Sequence, residues 1–385
     1  LRGNLARHHR VKDIGPSGTL GEKSDGGLWA LEPMAGSGFL AGVGKHLLHI
    51  KEEGSPARVW DSGIPKGAQD PRAHLCWEGA GACVMWDAEP GSAFGTSLEV
   101  FENEGDEPDP CFEQAHLLAA LGTKRGPLWI EAGGGGSLYL GHLELGKTST
   151  SILLAGTETS ADDMIQWGGA LISADGQIIY AWGRVASEPA RMWAWDASDG
   201  AALGPPVTLA SEYGVYAVCS PDGALLLTAS RFGLDAASSS LSLWPDSLGE
   251  LWVLQDGELR SQGTLDPGAE SGGQVAGAAI SQQHEVAVIH EDRKLRMWGP
   301  DGQLKREVSD LIGPREPVFQ GADDRLLVRC RDASARVFDL DGRGLTIPLG
   351  AATRVCLAPE EDAVLMGSSL HNLKSWDLHS AGEIH

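Results

Sequence analysis

The sequence predicts an all-β protein that is built from repeated four-stranded antiparallel sheets. The clearest repeat covers residues 277–308 and contains four short runs that are separated by turns. Apolar and polar residues alternate within these runs, and turn-forming residues recur between them, which is typical of an antiparallel meander. Since one such sheet cannot bury both of its faces, we expect similar sheets to pack on either side of it.

Copies of this repeat occur on both sides of it. Two follow it, at residues 326–349 and 363–382, and two precede it, beginning near residues 171 and 219. Each copy ends its third run with an aromatic residue, and successive aromatics are 49, 54, 40 and 38 residues apart. We therefore predict that these aromatics are the structural anchors of their sheets: Trp195, Trp244, Trp298, Phe338 and Trp376.

The motifs of these copies resemble those of the WD-repeat β-propeller family. The resemblance rests on S-P-D-G at Ser220, on E-D-x-K-L-R-M-W-x-x-D-G at Glu291 and on S-W-D-L at Ser375, and it covers residues 163–385. It implies an all-β propeller of four-stranded blades, with eight blades preferred over seven and with residues 1–385 forming one domain. The residues before 163 fit the pattern less regularly.

The resemblance also implies a structural role for two aspartates. In the WD-repeat family, an aspartate six positions before the anchor orients a hydrogen-bond network, and Asp292 and Asp332 stand at that position. The other three repeats have Pro189, Ser238 and Leu370 there, so we do not expect the full network in them.

The regulators of chromosome condensation are an alternative repeat family, because histidine strands, D-G turns and W-G strands also recur in this chain. Their repeats form propellers too, so the predicted architecture is the same. The W-D endings at Trp195 and Trp376 favour WD repeats.

The predicted blades can be placed in order along the chain. Residues 1–15 are either a tail or a strand that closes the ring, because the last copy stops after its third strand. The first three blades are expected at residues 28–61, 75–110 and 116–152, and the other five begin near residues 163, 213, 274, 315 and 352. Trp252 is among the tryptophans whose spacing is less regular.

Composition limits the class of partner. Acidic residues outnumber basic residues by 53 to 30, and the formal charge of −23 disfavours binding to nucleic acid or to an anionic membrane surface. No apolar run of about 20 residues occurs, which disfavours a membrane span. The six cysteines lack C-x-x-C pairs, as free thiols in a reducing cytoplasm would. We expect a cytoplasmic protein, and the composition suits a bacterial one.

One motif of a catalytic type occurs. Residues 141–148 satisfy G-x-x-x-x-G-K-[ST], the phosphate-binding loop, in which Lys147 would reach the terminal phosphates. That loop needs a helix after it, whereas residues 149–154 are mostly β-branched or hydroxyl-bearing. We interpret the segment as a turn between two strands. Since histidines and paired acids also lack metal-ligand or nucleophile spacing, we expect no catalytic residue, no metal and no cofactor.

Two groups of charged residues are candidate interaction surfaces. The acidic loop at residues 102–110 is either a solvated loop or a docking site for a basic partner. Three arginines lie in or beside loops that join second and third strands, so some of them are expected to share one face. The candidate residues are Glu102, Glu104, Asp106, Glu107, Asp109, Arg184, Arg231 and Arg293.

The predicted function is a non-catalytic scaffold that binds partner proteins. The WD-repeat resemblance implies this function, and bacterial WD-repeat units often accompany signalling modules, which favours a multi-protein or multi-domain signalling assembly. The alternative is a propeller enzyme or a small-ligand binder that uses the central channel. It would need charged side chains on the first strands around the axis, but residues 215–219 and 278–280 are small and apolar.

Overall fold

The structure is a computed structural model of the 385-residue chain. It describes residues 28–33, 39–43, 46–50, 56–61, 69–76, 81–87, 96–101, 109–112, 116–144, 147, 149–155, 164–185, 188–209, 214–231, 249–265, 275–290, 292–309, 311–320, 324–339, 344–348, 354–358, 363–367 and 374–377. Every regular element in this part of the chain is a strand, apart from one 3-10 turn at Gly134–Gly136.

The first twelve strands form two sheets. Sheet 1 contains β1 (Leu28–Pro33), β2 (Phe39–Val43), β3 (His46–Ile50) and β4 (Pro56–Asp61). Sheet 2 has eight strands, which are β5 (Gln69–Cys76), β6 (Gly81–Asp87), β7 (Thr96–Phe101), β8 (Asp109–Phe112), β9 (His116–Gly122), β10 (Pro127–Ala132), β11 (Leu138–His142) and β12 (Thr150–Ala155).

The later strands form five more sheets. Sheet 3 contains β13 (Ile165–Ile172), β14 (Ile178–Val185), β15 (Arg191–Asp196) and β16 (Val207–Thr208), and sheet 4 contains β17 (Gly214–Cys219), β18 (Leu225–Arg231), β19 (Gly249–Gln255) and β20 (Glu258–Leu265). Sheet 5 contains β21 (Val275–Ile280), β22 (Val286–His290), β23 (Leu295–Trp298) and β24 (Leu304–Val308). Sheet 6 contains β25 (Pro314–Gln320), β26 (Arg325–Cys330), β27 (Ser334–Phe338) and β28 (Gly344–Pro348), and sheet 7 contains β29 (Arg354–Ala358), β30 (Ala363–Gly367) and β31 (Lys374–Asp377).

The sheets are antiparallel meanders that are arranged as the blades of a propeller. First strands of neighbouring sheets contact one another at β13 and β17, β17 and β21, and β21 and β25, and β13 also contacts β9, the first strand of the second meander in sheet 2. The first strand of the last sheet, β29, contacts β1, so the first and last sheets are neighbours. The predicted all-β propeller of four-stranded antiparallel blades is therefore confirmed.

The predicted count of eight blades, or seven, is corrected to six separate blades among the described strands. In the described residues, sheets 1 and 3–7 are single blades, which makes six, five with four strands and one with three. The second and third expected blades share sheet 2, because β7 and β9 meet in a parallel bridge between Thr96 and His116. Residues 1–15, which were expected to be a tail or a strand that closes the ring, lie outside the described residues.

An aromatic residue on the third strand fills the interface with the preceding sheet. Trp298 is 1% exposed and packs in one cluster with Leu225, Leu227 and Leu251 of sheet 4. Trp195 packs in the same way against sheet 2, and Phe338 against sheet 5. Trp376 stands on the third strand β31, opposite Val364. These four anchors lie on the strands on which the sequence places them.

The fifth predicted anchor, Trp244, is not tested, and in the described residues Trp252 holds the anchor position of sheet 4. The third strand of sheet 4 is Gly249–Gln255, whereas Trp244 lies outside the described residues. Trp252 is 5% exposed, packs against Tyr180 and Met192 of sheet 3, and donates its Nε1–H to Thr228 Oγ1 at 2.9 Å. A tight D-G turn ends this third strand, since φ is 53° at Asp256 and 76° at the next glycine, as a two-residue hairpin requires.

Several glycines stand beneath tryptophan rings. Gly141 lies directly opposite Trp129 in the register of β10 and β11, and a Cβ atom at Gly141 would lie 1.8 Å from Trp129 Cε2. Gly169 has the same relation to Trp182, with a distance of 2.3 Å to the ring. Each ring covers a residue that has no side chain, so any larger residue at these positions would displace the ring.

We predict that Trp298→Ala lowers the free energy of unfolding by about 3 to 5 kcal/mol, because it leaves a large cavity between sheets 4 and 5. Chemical denaturation monitored by circular dichroism measures the change. Leu304→Ala is the matched control, since Leu304 is 43% exposed on the outer strand of the same sheet, and its effect should stay within about 0.5 kcal/mol. Equal stability of the Trp298 variant and the wild type would contradict the anchor role.

We also predict that Gly141→Ala destabilises the fold by about 1 to 3 kcal/mol, because the Trp129 ring must move to accept the methyl group. The same denaturation experiment measures the effect. Ser151→Ala changes an exposed residue opposite Gly141 on the next strand and is expected to have little effect. A Gly141 variant as stable as the wild type would show that the ring is free to shift.

Candidate functional site

Contacts between neighbouring turns fix the orientation of sheets 3–6. The turns that join first and second strands touch one another: Asp175 N–H donates to Pro221 O at 3.0 Å, and His284 Nε2 lies 3.0 Å from Asp222 Oδ2. Further along, the carboxylate of Asp324 accepts the N–H groups of Gln282 and Gln283 at 2.9 and 3.0 Å. These turns therefore lie side by side at one end of the propeller, which we call the lower face. The opposite end, where the second strands end, is the upper face.

The upper face carries the arginines that the sequence singles out. Arg184 is exposed near the end of β14, Arg231 is the last residue of β18, and Arg293 is exposed in the turn after β22. Arg331, in the corresponding turn of sheet 6, is exposed as well. The antiparallel meander thus brings all four to the same end of their sheets.

The predicted acidic group does not join these arginines. Glu102, Glu104, Asp106 and Glu107 lie outside the described residues. Asp109 is the first residue of β8 and pairs with Val100, towards the end of the third strand β7. Because β7 runs parallel to the first strand β9, this end belongs to the lower face. Asp109 and the arginines are therefore at opposite ends of the strands.

A buried ion network supports the turn that carries Arg293. The Arg296 side chain is fully buried, and its Nη1 and Nη2 atoms donate to the two Asp292 carboxylate oxygens at 3.2 and 2.6 Å. Its Nε–H donates to Glu307 Oε2 at 2.9 Å, and Nη1 lies 3.1 Å from His290 Nδ1. All three nitrogen atoms of the guanidinium group therefore have partners, as a buried charge requires.

The carboxylates of this network are held in the charged state. Burial raises the pKa of Asp292, but hydrogen bonds from Arg296 and from the Lys294 backbone outweigh it, and the pKa lies below its usual value. The hydrogen bond from the Lys294 ammonium group, with the Arg296 charge beside it, likewise lowers the pKa of Glu307. The network is therefore ionic at neutral pH.

The network has one neutral member. His290 is 2% exposed and stacks edge-on against Trp298, with the ring centroids 6.0 Å apart. Burial, and then the Arg296 charge, lower its pKa to about 4 from an ordinary 6.5. As a neutral ring it accepts the Arg296 hydrogen bond at Nδ1, because that atom then carries a lone pair.

Asp292 and Asp332 differ in what they bind. Asp292 binds Arg296 and accepts the Lys294 N–H at 3.0 Å. Asp332 accepts the N–H and the Oγ–H of Ser334, at 3.2 and 2.6 Å. Both close the turn between second and third strands, where the family resemblance places them. Sequence reasoning missed Arg296 and His290, although an arginine inside the apolar strand Leu295–Trp298 was an available signal.

An apolar side chain lies beside this region. Ile312, between β24 and β25, is 60% exposed, the largest value among the exposed hydrophobic residues of the described chain. Its carbonyl accepts the Arg331 N–H at 2.9 Å, so the loop before β25 is tied to the turn of sheet 6. The upper face of sheets 5 and 6 thus offers an exposed isoleucine and two arginines on anchored turns.

The phosphate-loop motif is a turn, as predicted. β11 ends at His142 and β12 begins at Thr150, so strands stand on both sides of it and no helix follows. Lys147 donates its N–H to Glu144 O at 3.0 Å, and its side chain pairs with the Glu144 carboxylate. Two other features can be stated for the described residues: no three His, Cys, Asp or Glu side chains cluster as a metal site would, and no helix could cross a membrane.

Comparison with solved structures shows the same fold. BamB from Moraxella catarrhalis is 14% identical with a TM-score of 0.53, over 90% of this chain and 96% of that chain. Sqt1 from Saccharomyces cerevisiae is 11% identical with a TM-score of 0.56, over 92% and 96%. The β-propeller domain of Cps50 (Swd1) from Myceliophteria thermophila is 12% identical with a TM-score of 0.51, over 85% and 98%. No protein-family model and no curated protein matches the chain.

We predict that acid destabilises the fold partly through His290. Its pKa is lower in the folded than in the unfolded chain, so below pH 6.5 the unfolded chain binds a proton that the folded chain does not. Folding stability therefore falls by up to about 3 kcal/mol as the pH drops from about 6.5 to about 4. In His290→Asn this loss should be absent, as urea denaturation at a series of pH values would show.

The comparison has an internal control. Between pH 7 and 9 the histidine does not titrate in either state, so the stability difference between variant and wild type should stay constant there. Below pH 6.5 the two curves should converge. Parallel curves down to pH 4 would mean that His290 is protonated in the fold and that the Arg296 hydrogen bond is not as described.

Proposed function

We propose that the protein is a non-catalytic platform of the WD-repeat type that binds partner proteins on its upper face. One observation carries the proposal: Arg293, Arg331 and Ile312 are all exposed at the upper end of the neighbouring sheets 5 and 6, on segments that hydrogen bonds hold in place. Arginine and large apolar side chains are suited to protein recognition, since each provides a large contact area and arginine adds directed hydrogen bonds. A turn that is already rigid loses little entropy when a partner binds.

The charge of this surface indicates the kind of partner. The chain as a whole has a formal charge of −23, yet the exposed side chains of Arg184, Arg293 and Arg331 are positive. A partner segment with a carboxylate beside an apolar residue would pair with an arginine and cover Ile312. Attraction confined to one face of an acidic protein also orients the partner as it approaches.

The wider setting belongs to the same proposal. We place the protein in the cytoplasm of a bacterium, within a multi-protein or multi-domain signalling assembly. Buried free thiols at Cys83, Cys330 and Cys356 suit a reducing compartment. Membership of the WD-repeat family is supported by the D-G turns and by the third-strand aromatics, which pack here as repeated anchors.

We predict that Arg293→Glu combined with Arg331→Glu abolishes binding of the partner. Purified wild type and variant are used as bait in cell extract, and a partner recovered at stoichiometric level is identified by mass spectrometry. A charge reversal at two interface arginines should weaken that recovery at least about 100-fold. Arg260→Glu is the matched control, because Arg260 is exposed on the outer strand β20 and should leave recovery unchanged.

Two results would contradict the proposal. Equal recovery of the partner by the double variant would place binding elsewhere on the propeller. Failure of the wild type to retain any partner, with the protein eluting as a monomer, would favour a ligand in the central channel. Thermal unfolding of each variant confirms that the fold is intact before binding is compared.

A further inference from the structure

One outer strand of the propeller presents an unprotected edge. β12 (Thr150–Ala155) is the last strand of sheet 2, and among the described strands its only partner is β11. Its sequence, TSILLA, contains no charge and no proline. A strand at a sheet edge has backbone N–H and C=O groups on its outer side that point away from the sheet, ready to pair with another extended chain.

Other outer strands are protected in ways that β12 is not. β24 carries Lys305, Arg306 and Glu307, and β20 carries Glu258 and Arg260. The outer strands β4 and β28 each include a proline at one end, which cannot donate a backbone hydrogen bond. Charges and prolines on an edge strand prevent pairing with other chains, and a very short edge strand offers little to pair with. The outer strand β16 has neither a charge nor a proline but is only two residues long. Among the described outer strands longer than that, β12 alone lacks both.

The side chains of β12 form a surface on both faces of that edge. Leu153 is 55% exposed and stands in register with Tyr139 on β11, so the two form an apolar row that ends at open solvent. On the other face, Ile152 packs against the turn of sheet 3, where a Cβ atom on Gly200 would lie 2.7 Å from Ile152 Cγ2. A further strand would continue both faces.

The same turn supplies a negative charge next to the edge. Asp199 precedes Gly200, is exposed, and uses one carboxylate oxygen to accept the Ala201 N–H at 2.9 Å. Among the described residues, no hydrogen bond or ion pair is made by the second carboxylate oxygen, so it can accept one from a cation. A chain that pairs with β12 and carries a basic residue beside Gly200 would therefore meet a complementary charge.

We propose that β12 binds an extended, apolar, basic-ended segment of a partner protein by strand addition. Backbone hydrogen bonds along the strand would supply affinity, and two side-chain contacts would supply selectivity: an apolar or β-branched residue beside Leu153 and a lysine or arginine beside Asp199. A second copy of this chain fits less well. Two chains of charge −23 repel each other, and the pairing of two β12 strands would offer no cation to Asp199.

The test uses a defined peptide. The probe is an acetylated peptide of about seven residues, alternating Thr and Val with one terminal Lys, and N-methylated on alternate residues so that only one edge can pair. Its binding is followed by fluorescence anisotropy and by hydrogen exchange of the full chain. We expect saturable binding, with amide exchange in Thr150–Ala155 slowed by about tenfold or more and exchange in β24 unchanged.

Matched variants locate the site. Leu153→Lys places a charge on the edge and should weaken peptide binding at least about tenfold, whereas Leu304→Lys makes the same change on the charged strand β24 and should leave it unchanged. Asp199→Asn should weaken binding of the lysine peptide but not of a peptide that ends in glutamine. Thermal unfolding checks that each variant is folded.

Three results would overturn the inference. One is the lack of any exchange protection in Thr150–Ala155 at millimolar peptide. Another is equal binding by the Leu153 and Leu304 variants. The third is concentration-dependent dimerisation of the wild type, abolished by Leu153→Lys, which would make a second copy the occupant. None of these depends on Arg293 or Arg331, so failure here and failure of the upper-face proposal are distinguishable.

Discussion

The structure depends on burial of apolar side chains between neighbouring sheets. A four-stranded meander has two faces and no core of its own, so each sheet is stable only where a neighbour covers it. The third-strand aromatics Trp195, Trp252, Trp298 and Phe338 provide that cover, each against the sheet that precedes its own. Because the contact always runs in the same direction, the sheets must follow one another around an axis, which is the propeller architecture.

Much of this architecture could be read from local sequence pattern. Alternation and D-G turns identify hairpins, and the recurrence of an aromatic on the third strand identifies the face that packs. The predicted number of blades was wrong, because local sequence pattern does not determine which meanders join into one sheet. The two meanders of sheet 2 are joined by a single bridge between Thr96 and His116. One isolated contact of this kind does not change the alternation of apolar and polar residues, so the sequence does not reveal it. Trp244 and Trp252 both stand in apolar runs, so local pattern does not choose between them as anchors; Trp252 lies on the third strand β19, and Trp244 lies outside the described residues.

The candidate site was harder to predict, because its central residue, Arg296, is a charged residue in a buried apolar strand. A fully buried arginine costs several kcal/mol of desolvation unless it is paired and hydrogen-bonded. Here each of the three guanidinium nitrogens has a partner among Asp292, Glu307 and the neutral His290. Well-packed hydrophobic residues in place of the whole network would often serve stability at least as well, whereas loss of Arg296 alone would leave Asp292 and Glu307 without their shared partner. Arg296 also fixes the local geometry. Its guanidinium group bonds Asp292 in the turn between β22 and β23 and Glu307 on the outer strand β24, so the turn and the strand are held together.

The repeated core also determines where differences between sheets can arise. Residues between sheets must keep the anchor and its apolar partners, so they vary little from one sheet to the next. Upper-face turns and outer strands do not carry the anchor, so their residues can differ from one sheet to the next. Sheet 5 holds its turn with a buried ion network and protects its edge with charges, whereas sheet 2 ends in the neutral strand β12. Charges on β24 oppose pairing with another chain, whereas nothing in the sequence of β12 does, and this difference is the basis of the strand-addition proposal.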